Sequence, residues 1–64
     1  MPILRIEMLE GRTQAQKQEL AEVLSRETAR ITGCNLEAIT IVFDDIKRDN
    51  WAVAGRLFSQ PNAD

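Results

Sequence analysis

From Pro2 to Leu9 the chain alternates, with Leu4, Ile6 and Met8 on one side and Ile3, Arg5 and Glu7 on the other. A period of two sends successive side chains to opposite faces of a pleated backbone, so this segment predicts a half-buried strand that begins at the second residue. Glu10-Gly11-Arg12 breaks the pattern. Thr13 and Gln16 then have the spacing of a capping box, in which each side chain satisfies the other's backbone N–H, and predict a helix from about Gln14 to Thr32. Leu20, Val23, Leu24 and Ile31 recur at near-helical spacing, with Ala21 and Thr28 beside them and Lys17, Glu22, Arg26 and Arg30 largely outside the stripe. One helical face is therefore expected to pack on a sheet.

Gly33 stands where a left-handed helix cap is wanted, and Asn35 continues the turn. Between Ala38 and Ile46, β-branched residues dominate and predict a second strand, with Ile39, Ile41 and Phe43 on one face and Asp44-Asp45 closing it. Two strands separated by a helix of roughly 18 residues pair in parallel only through a crossover. The expected fold class is α/β (α+β), a single βαβ unit and a single domain. Beyond the polar loop Lys47 to Asn50, the run Trp51-Ala52-Val53-Ala54-Gly55 predicts a short hairpin or turn segment that could add a small strand to a neighbour. The tail from Ser59, with Pro61 and Asn62, is expected to fray.

Length changes this picture. At 64 residues the chain is near the lower limit at which one hydrophobic core suffices, and a two-stranded sheet under one helix leaves a face and both edges uncovered. With one cysteine and no histidine, neither disulfides nor a metal can supply the missing stability, which leaves self-association. Side-by-side pairing of subunits would give a four-stranded sheet with two helices, and packing on the other sheet face a larger closed assembly. Eight Lys and Arg against ten Asp and Glu give a net charge of −2 without a basic stripe, so no nucleic-acid partner is expected. No apolar run approaches a bilayer span and the first residues do not read as a signal peptide, so the expectation is a cytoplasmic protein with no membrane partner. Cys34, alone, reads as a small reduced residue rather than a nucleophile.

Without histidine, tyrosine or a phosphate-binding glycine loop, few groups are left to carry chemistry. The most unusual is Pro2. Once Met1 is removed it presents a secondary amine, able to act as a general base when neutral and a general acid when protonated. Low-dielectric surroundings and a nearby cation such as Arg12 would favour its neutral form. Proline is also common at the start of a strand, and position alone leaves both readings open. Arg12 lies at the carboxyl end of the first strand, the side of open α/β sheets where ligands bind, and its fork of donors suits a carboxylate. A solvated loop arginine or a partner for Glu10 fits that position too. Trp51 could wall a substrate site, or serve as a core or interface tryptophan.

Taken together, Met1-Pro2, the segment Met8-Leu9-Glu10-Gly11-Arg12-Thr13, Gln16-Lys17 early in the helix, and Asp49-Asn50-Trp51-Ala52-Val53-Ala54-Gly55 resemble the 4-oxalocrotonate tautomerase family of short-chain tautomerases. The likeness runs in register over nearly the whole chain. It implies a βαβ subunit in a homohexamer, a trimer of dimers, with no cofactor and no metal, whose neighbouring subunits share each site. It further implies that Pro2 is the catalytic acid/base interconverting unsaturated 2-hydroxy and 2-oxo acids, and that Arg12 binds the carboxylate of this small substrate. Trp51 takes the place of an aromatic wall residue that is usually phenylalanine. One departure concerns the second arginine of the best-known members, on strand two: the matching position is Thr40, so a dicarboxylate would lose a clamp. Arg5, Arg48 and Arg56 are candidate substitutes, and nothing in the sequence places any of them at the site. Two further readings remain: a non-catalytic binding module on the same scaffold, and a proline-dependent hydratase or decarboxylase, for which Glu7, Asp44 or Asp45 would have to activate water.

Overall fold

The computed structural model describes residues 1–60. Strand β1 (Ile3–Leu9), helix α1 (Gln14–Thr32) and strand β2 (Thr40–Ile46) form a β–α–β unit in which β1 and β2 pair in parallel. The register runs from Ile3 opposite Thr40 to Leu9 opposite Ile46. Because paired residues share a face, Leu4, Ile6, Met8, Ile41, Phe43 and Asp45 lie on one side of the sheet. Ile3, Arg5, Glu7, Thr40, Val42 and Asp44 lie on the other. Along β1 burial alternates with the same period, Leu4, Ile6 and Met8 being half-buried and Ile3, Arg5 and Glu7 exposed, as the sequence pattern predicts.

Both ends of α1 are closed as its sequence foretells. Thr13 Oγ1 accepts from the Gln16 N–H at 3.1 Å, Gln16 Oε1 accepts from the Thr13 N–H at 2.9 Å, and Gly33 (φ 78°) donates its N–H to the Ala29 carbonyl at 2.9 Å. The buried stripe is shifted from the expected one. Leu20, Ala21, Leu24, Ser25, Thr28 and Ala29 are half-buried, whereas Val23 is 36% and Ile31 71% exposed. Ile31 is in phase with Leu24, but a helix of 19 residues is about 28 Å long and outruns the strands beneath it.

The second strand also starts later than its composition implies. Leu36–Ala38 forms a 3₁₀ turn and Ile39 links it to β2, because the chain must turn back after Gly33 before it can enter the ladder. Asp44 and Asp45 do not end the strand; they are inside it, each held by a cation. Beyond β2, a second 3₁₀ turn (Arg48–Asn50) leads into a hairpin of β3 (Ala52–Val53) and β4 (Arg56–Leu57). Its two-residue loop, Ala54 (φ 54°) and Gly55 (φ 81°), has the paired positive φ values that match strand twist in tight hairpins. Ser59 and Gln60 continue in a turn in which the Gln60 N–H donates to the Leu57 carbonyl at 3.1 Å, and the expected fraying of Pro61 and Asn62 lies outside the described residues.

Among the described residues no side chain is fully buried. The radius of gyration is 15.4 Å, against about 11 Å for a compact chain of this length, and the long dimension reaches 46 Å. A single subunit thus has a half-covered sheet, an extended outline and exposed apolar groups at Ile3 (56%), Leu36 (54%) and Val53 (56%). No helix among the described residues is long and apolar enough to cross a membrane.

Candidate active site at two ends of the sheet

At the amino end of the sheet, the Thr40 N–H donates to the Pro2 carbonyl at 3.1 Å, adding one rung to the ladder before Ile3. Pro2 is half-buried and Thr40 is exposed, on the face opposite the helix. Two of the four expected site residues therefore sit side by side, fixed by backbone pairing.

At the carboxyl end, the last rung is the Glu10 N–H donating to the Ile46 carbonyl at 2.9 Å. Gly11 follows with φ 122°, a conformation that an L side chain rarely adopts, and delivers Arg12 just ahead of the Thr13 cap. Arg12 is exposed, and no hydrogen bond or ion pair engages it among the described residues, so it is not a partner for Glu10. Its side chain borders an open pocket of about 320 Å³ whose apolar part comes from Met8 and Leu20, with Gln16, Lys17 and Glu19 completing it.

Within one chain Arg12 and Pro2 stand at opposite ends of β1, the positions that the sequence assigns them. The seven residue steps from Pro2 to Leu9 along β1 separate the two ends by about 23 Å. Trp51 is likewise apart from Pro2 in sequence position on the fold, following the carboxyl end of β2 and the Arg48–Asn50 turn. It is half-buried; its ring lies 6.3 Å from that of Phe58 at an interplanar angle of 57°, and its carbonyl accepts from the Phe58 N–H at 2.9 Å.

Three features escaped the sequence reading. Phe58 packs against Trp51 because the hairpin brings the chain back to its own start. Arg5 Nη1 meets Asp44 Oδ2 at 3.3 Å across the exposed face, so Arg5 is already engaged. Lys17 Nζ pairs with Asp45 Oδ2 beneath the first turns of the helix. The last pair carried a signal in the alternation: Asp45 shares a face with Ile41 and Phe43, and a carboxylate there calls for a cation. No group of three or more potential metal ligands occurs among the described residues.

The fold is that of the tautomerases. The chain belongs to the tautomerase family: the family model described as "Tautomerase enzyme" matches residues 2–60. It is 37% identical over 59 residues to the 2-hydroxymuconate tautomerase of Bacillus subtilis, covering 92% of this chain and 95% of that one. Against the 2-hydroxymuconate tautomerase of Pseudomonas putida it is 34% identical over 55 residues, covering 86% and 87%. Among solved structures, a 4-oxalocrotonate tautomerase homologue superposes with a TM-score of 0.94 at 33% identity, over 98% of this chain and 100% of the other. A heterohexameric 4-oxalocrotonate tautomerase from Chloroflexus aurantiacus gives 0.85 at 35% identity, over 94% and 97%. At the level of the family, the chain is an isomerase.

Proposed function

We propose that this protein is a keto–enol tautomerase of small unsaturated 2-hydroxy and 2-oxo carboxylates, working in the cytoplasm with Met1 removed and the Pro2 amine as proton carrier. The neutral amine takes the proton of the enol hydroxyl, and the O–H electron pair becomes part of the carbonyl double bond. The displaced π electrons move along the conjugated chain to a distal carbon, which takes a proton back from the protonated amine. Hydrogen leaves oxygen and arrives at carbon with no net oxidation, so the reaction calls for no cofactor and no metal. Arg12 binds the carboxylate by charge-assisted hydrogen bonds and draws electron density towards it as the negative charge develops. Trp51 forms an apolar wall, and Thr40 offers a hydroxyl beside Pro2 where a guanidinium would favour a second carboxylate.

The observation that carries this reading is the separation itself. Pro2 and an unengaged Arg12 stand at opposite ends of β1 in a chain with no fully buried side chain among its described residues. Assembly joins them, with Pro2 from one subunit facing Arg12 from another, in a homohexamer built as a trimer of dimers. The heterohexameric relative supports that stoichiometry. A complementation experiment tests it: subunits that retain Met1 and subunits carrying Arg12→Ala are each purified, then refolded together. Shared sites regain turnover in the mixture, because some sites then combine a free Pro2 amine with an intact Arg12. No recovery in mixtures that sediment as hexamers would overturn the shared site.

The hydratase reading is weakened by the ion pairs that engage Asp44 and Asp45, leaving Glu7 as its remaining water-activating candidate. The binding-module reading rests on Thr40 alone. A hexamer that binds small carboxylates but ketonises neither a monoacid nor a diacid enol, followed by ultraviolet absorbance, would establish it instead.

A further inference from the structure

Among the described residues Arg12 has no hydrogen-bond or ion-pair partner, so its position follows from the two ends of the short segment that carries it. The first end is anchored by the backbone, through Glu10 N–H to the Ile46 carbonyl. The second is Thr13, held within α1 by the capping box and by the Lys17 N–H, which donates to the Thr13 carbonyl at 3.1 Å. Those bonds fix Thr13 to the helix, and none of them fixes the helix start to the sheet. The polar link between them is the Lys17 side chain, whose Nζ pairs with Asp45 Oδ2 on β2, opposite Met8 and one step before the Ile46 carbonyl that holds the other end. Lys17 and Asp45 are 26% and 37% exposed, the most sheltered of the three ion pairs found among the described residues.

We infer that the Lys17–Asp45 pair is a positioning device for Arg12: it pins the first turn of α1 to β2 and so sets where the guanidinium stands over the pocket. The inference rests on the assignment of Arg12 as the carboxylate-binding residue. The pair has a second effect. Lys17 lines the same pocket as Arg12, and with its charge answered by Asp45 the carboxylate of a substrate is left to the guanidinium, whose planar fork gives one defined orientation.

The two ways in which Lys17 can act have opposite signatures. Loss of positioning weakens substrate binding, whereas a Lys17 freed to bind carboxylate itself strengthens it. In Asp45→Asn, which keeps the size of the side chain, we expect KM for a carboxylate substrate to rise and kcat/KM to fall about tenfold, since small displacements of a binding group carry large penalties. Lys17→Met should do the same, and Lys17→Arg, which keeps charge and reach, should restore much of the loss. In an Arg12→Ala background, Lys17→Met should add less than about twofold, because its effect passes through the missing guanidinium. All variants are compared as assembled protein, verified by sedimentation; if Lys17→Met fails to assemble, Asp45→Asn and Lys17→Arg carry the test. An unchanged or lowered KM in Asp45→Asn, or a Lys17→Met effect that multiplies fully with Arg12→Ala, overturns the inference. Arg12→Ala alone reports separately on the underlying assignment: a large loss there, with no effect at Asp45, refutes the positioning role and leaves Arg12 in place.

Discussion

At the amino end of the sheet, Pro2 and Thr40 are held by the ladder, through a backbone hydrogen bond of 3.1 Å that needs no particular side chain at either position. At the carboxyl end, Arg12 hangs on a turn that depends on Gly11, a capping box and an ion pair. The first arrangement tolerates substitution, and so a position such as Thr40 can change chemical character without moving its neighbour. The second is specified by side chains and is easily displaced. In the proposed site, the first end would supply a fixed proton carrier and the second a tunable carboxylate clamp.

The largest expected effect strikes the fixed end chemically without disturbing its geometry. Retention of Met1 converts the proline nitrogen into a tertiary amide that accepts no proton at neutral pH, and should lower kcat/KM by about 10²–10⁴-fold while leaving assembly intact. Pro2→Ala should fall between, because a primary amine remains after processing. Samples verified by intact mass and assayed side by side decide it; equal turnover with and without Met1 would remove Pro2 from the mechanism. Next comes the clamp: Arg12→Ala should cost about 10²–10³-fold in kcat/KM, the usual scale for removing one donor aimed at developing charge. A smaller loss would mean that another cation shares the carboxylate.

Thr40→Arg sharpens the contrast from the other side. A guanidinium beside Pro2 should raise the diacid-to-monoacid ratio of kcat/KM by about tenfold, the scale of a hydrogen bond to a charged group, with the thermal midpoint little changed. No change in the ratio would mean that position 40 does not face the bound substrate. The smallest effect is expected at Gly11→Ala. Its φ of 122° strains any L residue, although no neighbouring atom lies within 4 Å of the added carbon. The penalty is about 1–3 kcal/mol of backbone strain, read as a lowered thermal midpoint and a raised KM, with no effect on the proton-transfer step. A drop in kcat without a change in KM would show that the turn acts on chemistry rather than on binding.

Much of this was legible in the chain itself. Strict alternation in β1, the Thr13–Gln16 pair and Gly33 each act through their own backbone, and such local rules carry over directly into structure. What failed had causes beyond the local sequence. Ile31 satisfies the helical period but overhangs the strands, and Ile39 has strand propensity yet falls where the chain must turn. Type and position single out Pro2, Arg12 and Trp51 but leave two readings of each open, and the choice of Thr40 comes from the family resemblance alone. Which of them share an end of the sheet is set by parallel register, which puts Thr40 beside the start of β1 while a whole strand lies between Pro2 and Arg12. The Asp45 partner was equally hidden, because it depends on which face of the sheet α1 covers.

That no described residue is completely buried has one more consequence, for how the protein behaves on dilution. If burial is completed only between chains, folding and association are a single equilibrium, and stability becomes a function of protomer concentration. Dilution then acts as a denaturant. The midpoint of thermal unfolding should climb with total protein, and specific activity should decay in a time-dependent way after transfer to low concentration, the loss being reversed on reconcentration. Under that coupling, abundance in the cell would itself decide whether the fold exists.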